Sequence, residues 1–78
     1  MSRVIPLSRA AEGKYRVVSL NGGKGFIRRI AELGIYPNST LEVSAYMNGG
    51  GPISIIVKGS KLALGRGMAA KIMVKKEE

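Results

Sequence analysis

Two neighbouring features of this 78-residue chain are of a type and spacing that invite chemistry: the pair Arg28-Arg29 and the glycine-rich turn Gly22-Gly23-Lys24-Gly25 before it. A guanidinium on a helix can reach an acidic protein surface, or act in trans as an arginine finger on a partner's bound phosphate. A glycine turn that opens a helix can offer backbone N–H groups to a phosphate. The P-loop spacing Gly-x-x-x-x-Gly-Lys-Ser/Thr is absent, however, and a plain strand-to-helix turn accounts for the motif. Most arginines on the polar face of an amphipathic helix are simply solvated, and Glu32, four residues after Arg28, offers a local partner.

Other chemistries are excluded by residue types that are missing. The chain has no histidine and no cysteine, which removes the ligands that ferrous and softer metal sites require. Its five carboxylates are all glutamates, scattered along the chain with no Asp-rich loop to organise a hard-cation site. The serines have no histidine to activate them, and acid or base work would fall to isolated Glu or Lys. No catalytic residue, metal ligand or cofactor site is expected, and the chain does not read as an enzyme.

The elements that must position the basic residues follow from periodicity. After Pro6, Leu7 to Gly13 reads as one helical turn, capped by Ser8 and ended by Gly13. A strand follows over Lys14 to Leu20. From Lys24 to Gly34 the period changes: Phe26, Ile27, Ile30, Ala31 and Leu33 share one side of a helix, Arg28 and Glu32 lie opposite, and Arg29 sits at the border. Gly34 suits the helix C-terminus, and Pro37-Asn38 suits the centre of a tight turn. Thr40 to Met47 alternates as a half-buried strand. The connection Asn48-Gly49-Gly50-Gly51-Pro52 leads to a strand over Ile53 to Lys58, Gly59-Ser60 turns into Lys61 to Leu64, and Gly65 to Ala70 reads as a loop or single turn. Lys71 to Lys75 closes the pattern. The fold class is all-β with one inserted helix: a small barrel of about five strands, closed or nearly so, which would remove exposed edges. One domain is expected, with its core over residues 6–75 and a frayed tail at 76–78.

The formal charge of +8 is unevenly placed. Residues 1–29 carry seven cations and one acid, residues 58–78 carry six cations and two acids, and residues 30–57 carry no cation. If the two ends meet in the fold they form one basic surface, suited to an acidic protein, a nucleic acid or an anionic membrane. No apolar stretch is long enough to span a bilayer and no signal-peptide pattern is present, so a cytoplasmic location is expected.

The order Pro6-Leu7, strand, Gly22-Gly23-Lys24-Gly25, helix ending Ala31-Glu32-Leu33-Gly34-Ile35-Tyr36-Pro37, strand, Gly50-Gly51-Pro52, strand, and Ala70-Lys71-Ile72-Met73-Val74 resembles the FeoA family. It departs at Asn38, where the family generally has glycine, and around Gly65-Arg66-Gly67. The resemblance implies an SH3-like barrel, a role in ferrous iron uptake, and a partner in FeoB, a membrane protein with a cytoplasmic GTPase domain. Contact with the membrane would then be only indirect, through FeoB. Candidate partner-binding residues are Lys24, Arg28, Arg29, Tyr46, Lys58 and Lys61, and the edges of the barrel could also pair between copies. The competing reading is a basic barrel that binds nucleic acid. It is weakened by the scarcity of aromatics for base stacking, which are limited to Tyr15, Phe26, Tyr36 and Tyr46.

Overall fold

A computed structural model describes residues 3–45 and 51–77. Strands β1 (Val4–Pro6), β2 (Gly13–Leu20), β3 (Thr40–Ala45), β4 (Ile53–Val57), β5 (Ser60–Leu64) and β6 (Ile72–Lys76) form one antiparallel sheet. Their order across it is β1-β6-β2-β3-β4-β5. Helix α1 (Lys24–Glu32) joins β2 to β3, and the four-residue α2 (Arg66–Ala69) joins β5 to β6. Leu7–Arg9 forms a 3₁₀ turn in which Ser8 is an internal residue without a capping bond; Gly13 opens β2.

Alternation decides what is buried. Tyr15 and Val17 on β2, Leu41 and Val43 on β3, Ile53, Ile55 and Val57 on β4, and Ile72 and Val74 on β6 point into one core. Leu7, Ala10, Ile30, Ile35, Leu64 and Ala69 complete it, and no polar or charged residue is buried among the described residues. The Tyr15 hydroxyl donates to the Ala11 carbonyl at 2.8 Å, so the one phenol in the core among the described residues is hydrogen-bonded. Two register shifts bend the sheet, one at Val17/Ser19 against β6 and one at Val43/Ala45 against β4. The first leaves Val18 turned out to solvent.

Three differences from the sequence reading stand out. The strand count is six, because Val4–Pro6 pairs with β6. The sheet is not closed: β1 and β5 both end it, with no ladder between them among the described residues. The tail is not frayed at Lys76 and Glu77, because Lys76 pairs with Tyr15 and the Glu77 N–H donates to the Lys14 carbonyl at 2.9 Å.

Glu77 also meets Arg16 on β2. Its Oε1 accepts from Nη2 at 3.2 Å, its Oε2 lies 3.0 Å from Nε, and Arg16 Nη1 donates to the Asn38 carbonyl at 2.9 Å. Both side chains are about a third exposed, with 38% and 29% of their surfaces open, so solvent screens the pair. Glu77→Gln is expected to lower unfolding free energy by less than about 1 kcal/mol, with the loss shrinking in 1 M salt. Urea titrations at two salt concentrations check this.

Candidate partner-binding surface

Helix α1 begins at Gly23, whose extended backbone caps it without a side-chain bond. Gly22 has a steric duty in that turn: a Cβ there would fall 2.4 Å from the Phe26 ring. The ring lies against the glycine, and Lys71 Nζ lies 5.3 Å from its centroid. This packing accounts for a glycine with no need of a phosphate.

The helix ends in a Schellman motif. Gly34, at φ +91°, donates to the Ala31 carbonyl at 2.9 Å, and Ile35 donates to the Ile30 carbonyl at 3.2 Å. Ile30 and Ile35, the two apolar residues this motif brings together, are both fully buried. Next comes a tight turn, Tyr36-Pro37-Asn38-Ser39, closed by the Ser39 N–H to the Tyr36 carbonyl at 2.9 Å. Asn38 takes φ +75° at its third position, which gives a type II turn. Here asparagine does the work of glycine. The Ser39 hydroxyl accepts from the Tyr36 N–H at 3.0 Å and donates to its carbonyl at 2.6 Å, while Asn38 and Ser39 bond to Val17 on β2. Tyr36 is thereby held on the surface, 41% exposed, with Lys58 Nζ 5.2 Å from its ring centroid.

Lys24, Arg28 and Arg29 are all exposed on α1, as the helical period requires. The Arg28–Glu32 ion pair that the spacing allows is not formed. Lys58 sits at the β4–β5 turn, beside the C-terminal end of α1: a Cβ on Gly34 would lie 3.6 Å from Lys58 Cδ. Lys61 is exposed on β5. The structure thus brings Lys58 to the end of the helix that carries the arginines, and leaves Lys61 apart on the sheet edge. Tyr46 lies outside the described residues.

The sequence reading missed two surface features. Ile27 and Leu33 are 40% and 38% exposed, and on α1 only Ile30 is fully buried, with Phe26 partly so. The apolar arc of this helix is wider than the groove that receives it. Its width was visible in the periodicity, since Ile27 and Leu33 lie about 60° to either side of Ile30. Tyr36 is the other omission, and its position directly before Pro37 was the available signal. Ile27 with Lys24 and Arg28 lies on one flank of α1 and Leu33 with Arg29 on the other, so each flank offers an exposed apolar side chain beside cations, and Tyr36 with Lys58 adds a third such pair past the helix end.

A separate shallow depression of about 260 Å³ lies on the outer face of β2, β3 and β4. Lys14 and Lys58 line it together with Glu42 and Glu77, so its charges balance and favour neither sign. Among the described residues no group of three or more carboxylate, histidine or cysteine side chains is placed to hold a metal, and no helix is long and apolar enough to cross a membrane.

A strongly bent antiparallel sheet of six short strands with one helix on it defines a small all-β domain of the SH3-like kind. The FeoA domain model matches residues 5–76, and the chain belongs to the FeoA family. It is 42% identical over 74 residues, 94% of this chain and 88% of the relative, to "Putative Fe(2+) transport protein A" of Methanocaldococcus jannaschii. The crystal structure of an iron uptake regulatory protein (FeoA) superposes with a TM-score of 0.88 at 36% identity, covering 96% of this chain and all of that one. The Zn²⁺-bound structure of ScaR shares the fold at 22% identity and TM-score 0.84; 94% of this chain matches 37% of that longer one.

Proposed function

We propose that this chain is a small cytoplasmic accessory protein of ferrous iron uptake that binds and regulates the GTPase-containing cytoplasmic region of FeoB. The observation that carries the reading beyond family membership is the surface of α1 and the turn after it, with Ile27, Leu33 and Tyr36 exposed beside cations that form no ion pair. Apolar anchors supply affinity at such a surface, and the surrounding arginines and lysines steer an acidic partner to it. The chain has neither the imidazole nor the thiolate ligands that common ferrous and softer metal sites use, and on this reading it acts on the transporter and does not hold the ion.

Calorimetric titration into the FeoB cytoplasmic region at physiological salt, with random-sequence DNA in parallel, tests the reading. Saturable binding to FeoB alone is expected. DNA binding driven only by the +8 charge fades near physiological ionic strength; DNA binding that survives the salt, with none to FeoB, would replace the accessory role with a nucleic-acid one.

Charge reversal locates the surface. Arg28→Glu with Arg29→Glu is expected to weaken FeoB binding about tenfold, mainly through slower association, while unfolding free energy stays within about 0.5 kcal/mol. Unchanged affinity would place the interface away from α1.

A further inference from the structure

The unclosed sheet leaves one strand with an open side. β1 is three residues long and ends in Pro6, a poor template for another strand. β5 is five residues long and contains no proline. It is joined to β4 by the two-residue turn Lys58-Gly59, at φ +51° and +80°, the backbone of a type I′ hairpin. In such a hairpin the closing pair Val57↔Ser60 exchanges both hydrogen bonds, and so, by alternation, do Ile55↔Leu62 and Ile53↔Leu64. Lys61 and Ala63 therefore turn their N–H and C=O groups away from β4. No backbone hydrogen bond reaches either from the turns and loops among the described residues, and both are exposed.

We propose that this edge accepts an extended acidic segment of a partner protein as a seventh strand, hydrogen-bonded to Lys61 and Ala63. The charges choose the occupant. Lys61 stands on the outward face of the strand, and Lys58 lies one turn away. An incoming strand with a carboxylate opposite Lys61 gains a cross-strand ion pair. A second copy of this chain, pairing β5 with β5, would instead bring together two chains of +8 with two lysines each near the contact. The two lysines thus admit one kind of strand and reject their own. Main-chain bonds hold the added strand and alternate side chains select it. The inference rests on the accessory-protein reading only for which protein supplies the segment.

Amide hydrogen exchange followed by NMR tests it. The probes are a capped hexapeptide alternating Glu and Val, and its Lys/Val counterpart, each at about millimolar concentration, where weak strand addition is measurable. The Glu/Val peptide should slow exchange at Lys61 and Ala63 by at least about tenfold, and the Lys/Val peptide should not. Ala63→Pro removes an outward donor and no β4–β5 bond, so the variant should stay folded and lose the effect. No slowing at these two amides, or equal slowing by both peptides, would overturn the proposal, as would concentration-dependent slowing with no peptide present. The FeoB cytoplasmic region separates the two readings. Binding of that region with no slowing at Lys61 and Ala63 by either it or the Glu/Val peptide overturns the edge and leaves the accessory role standing, whereas slowing by the Glu/Val peptide with no FeoB binding supports the edge and removes the role.

Discussion

Ile30→Ala is expected to lower the unfolding free energy by about 2–5 kcal/mol, the usual cost of emptying a well-packed aliphatic site. A chain of this length holds roughly 4–12 kcal/mol in total, so the variant should lie close to unfolding at 37 °C. The effect is large because Ile30 is the only residue of α1 with no exposed surface. It also meets Ile35 in the motif that ends the helix, so truncation loosens the anchor and the exit together. Ile27→Ala and Leu33→Ala start from residues about 40% exposed and should cost less than about 1 kcal/mol. Urea midpoints for the three variants check the ranking. If Ile30→Ala and Leu33→Ala were equally mild, the helix would be held by something other than its buried seam.

Gly34→Ala should cost about 2–3 kcal/mol. Two penalties meet at this position. A side chain at φ +91° pays about 1–2 kcal/mol for the left-handed backbone. Its Cβ would also lie 3.0 Å from Val57 Cγ1, a residue fixed in the core of β4. Gly59→Ala isolates the first penalty, since Gly59 has φ +80° with nothing near its Cβ position. The difference between the two variants therefore reads the helix-to-hairpin contact, which also sets Lys58 beside Tyr36. Equal losses would show that Val57 yields without cost.

Much of this architecture was legible because local chemistry and long-range packing agree. Gly34 marked the helix end, and Pro37-Asn38 marked the turn. The alternation read over Thr40 to Met47 named the core face at Leu41 and Val43. The parts that escaped are those without a period of their own. Val4–Pro6 is too short to show alternation; for Gly65 to Ala70, read as a loop or a single turn, α2 (Arg66–Ala69) is the single turn. Glu77 is held by its register against β2, a partner 61 residues away from it at Arg16. The exposed positions of Lys24, Arg28 and Arg29 were readable from the helical period. The exposure of Ile27 and Leu33 was not, because periodicity says which side faces inward and not how wide a groove awaits it. The choice between a closed and a nearly closed barrel was not legible for a related reason: strand number can be counted along a chain, but the ladder that would join β1 to β5 depends on bend and stagger.

The pairing of β1 with β6 sets Val4 opposite Lys75. The first and the last strand in chain order therefore run side by side, about 5 Å apart. A unit with its entrance and exit side by side can be spliced into a host loop, or strung in tandem, with little stretching of the flanking chain. The fold is in that sense a cassette: portability between architectures is a property of its first and last strands, and owes nothing to the surface that selects a partner.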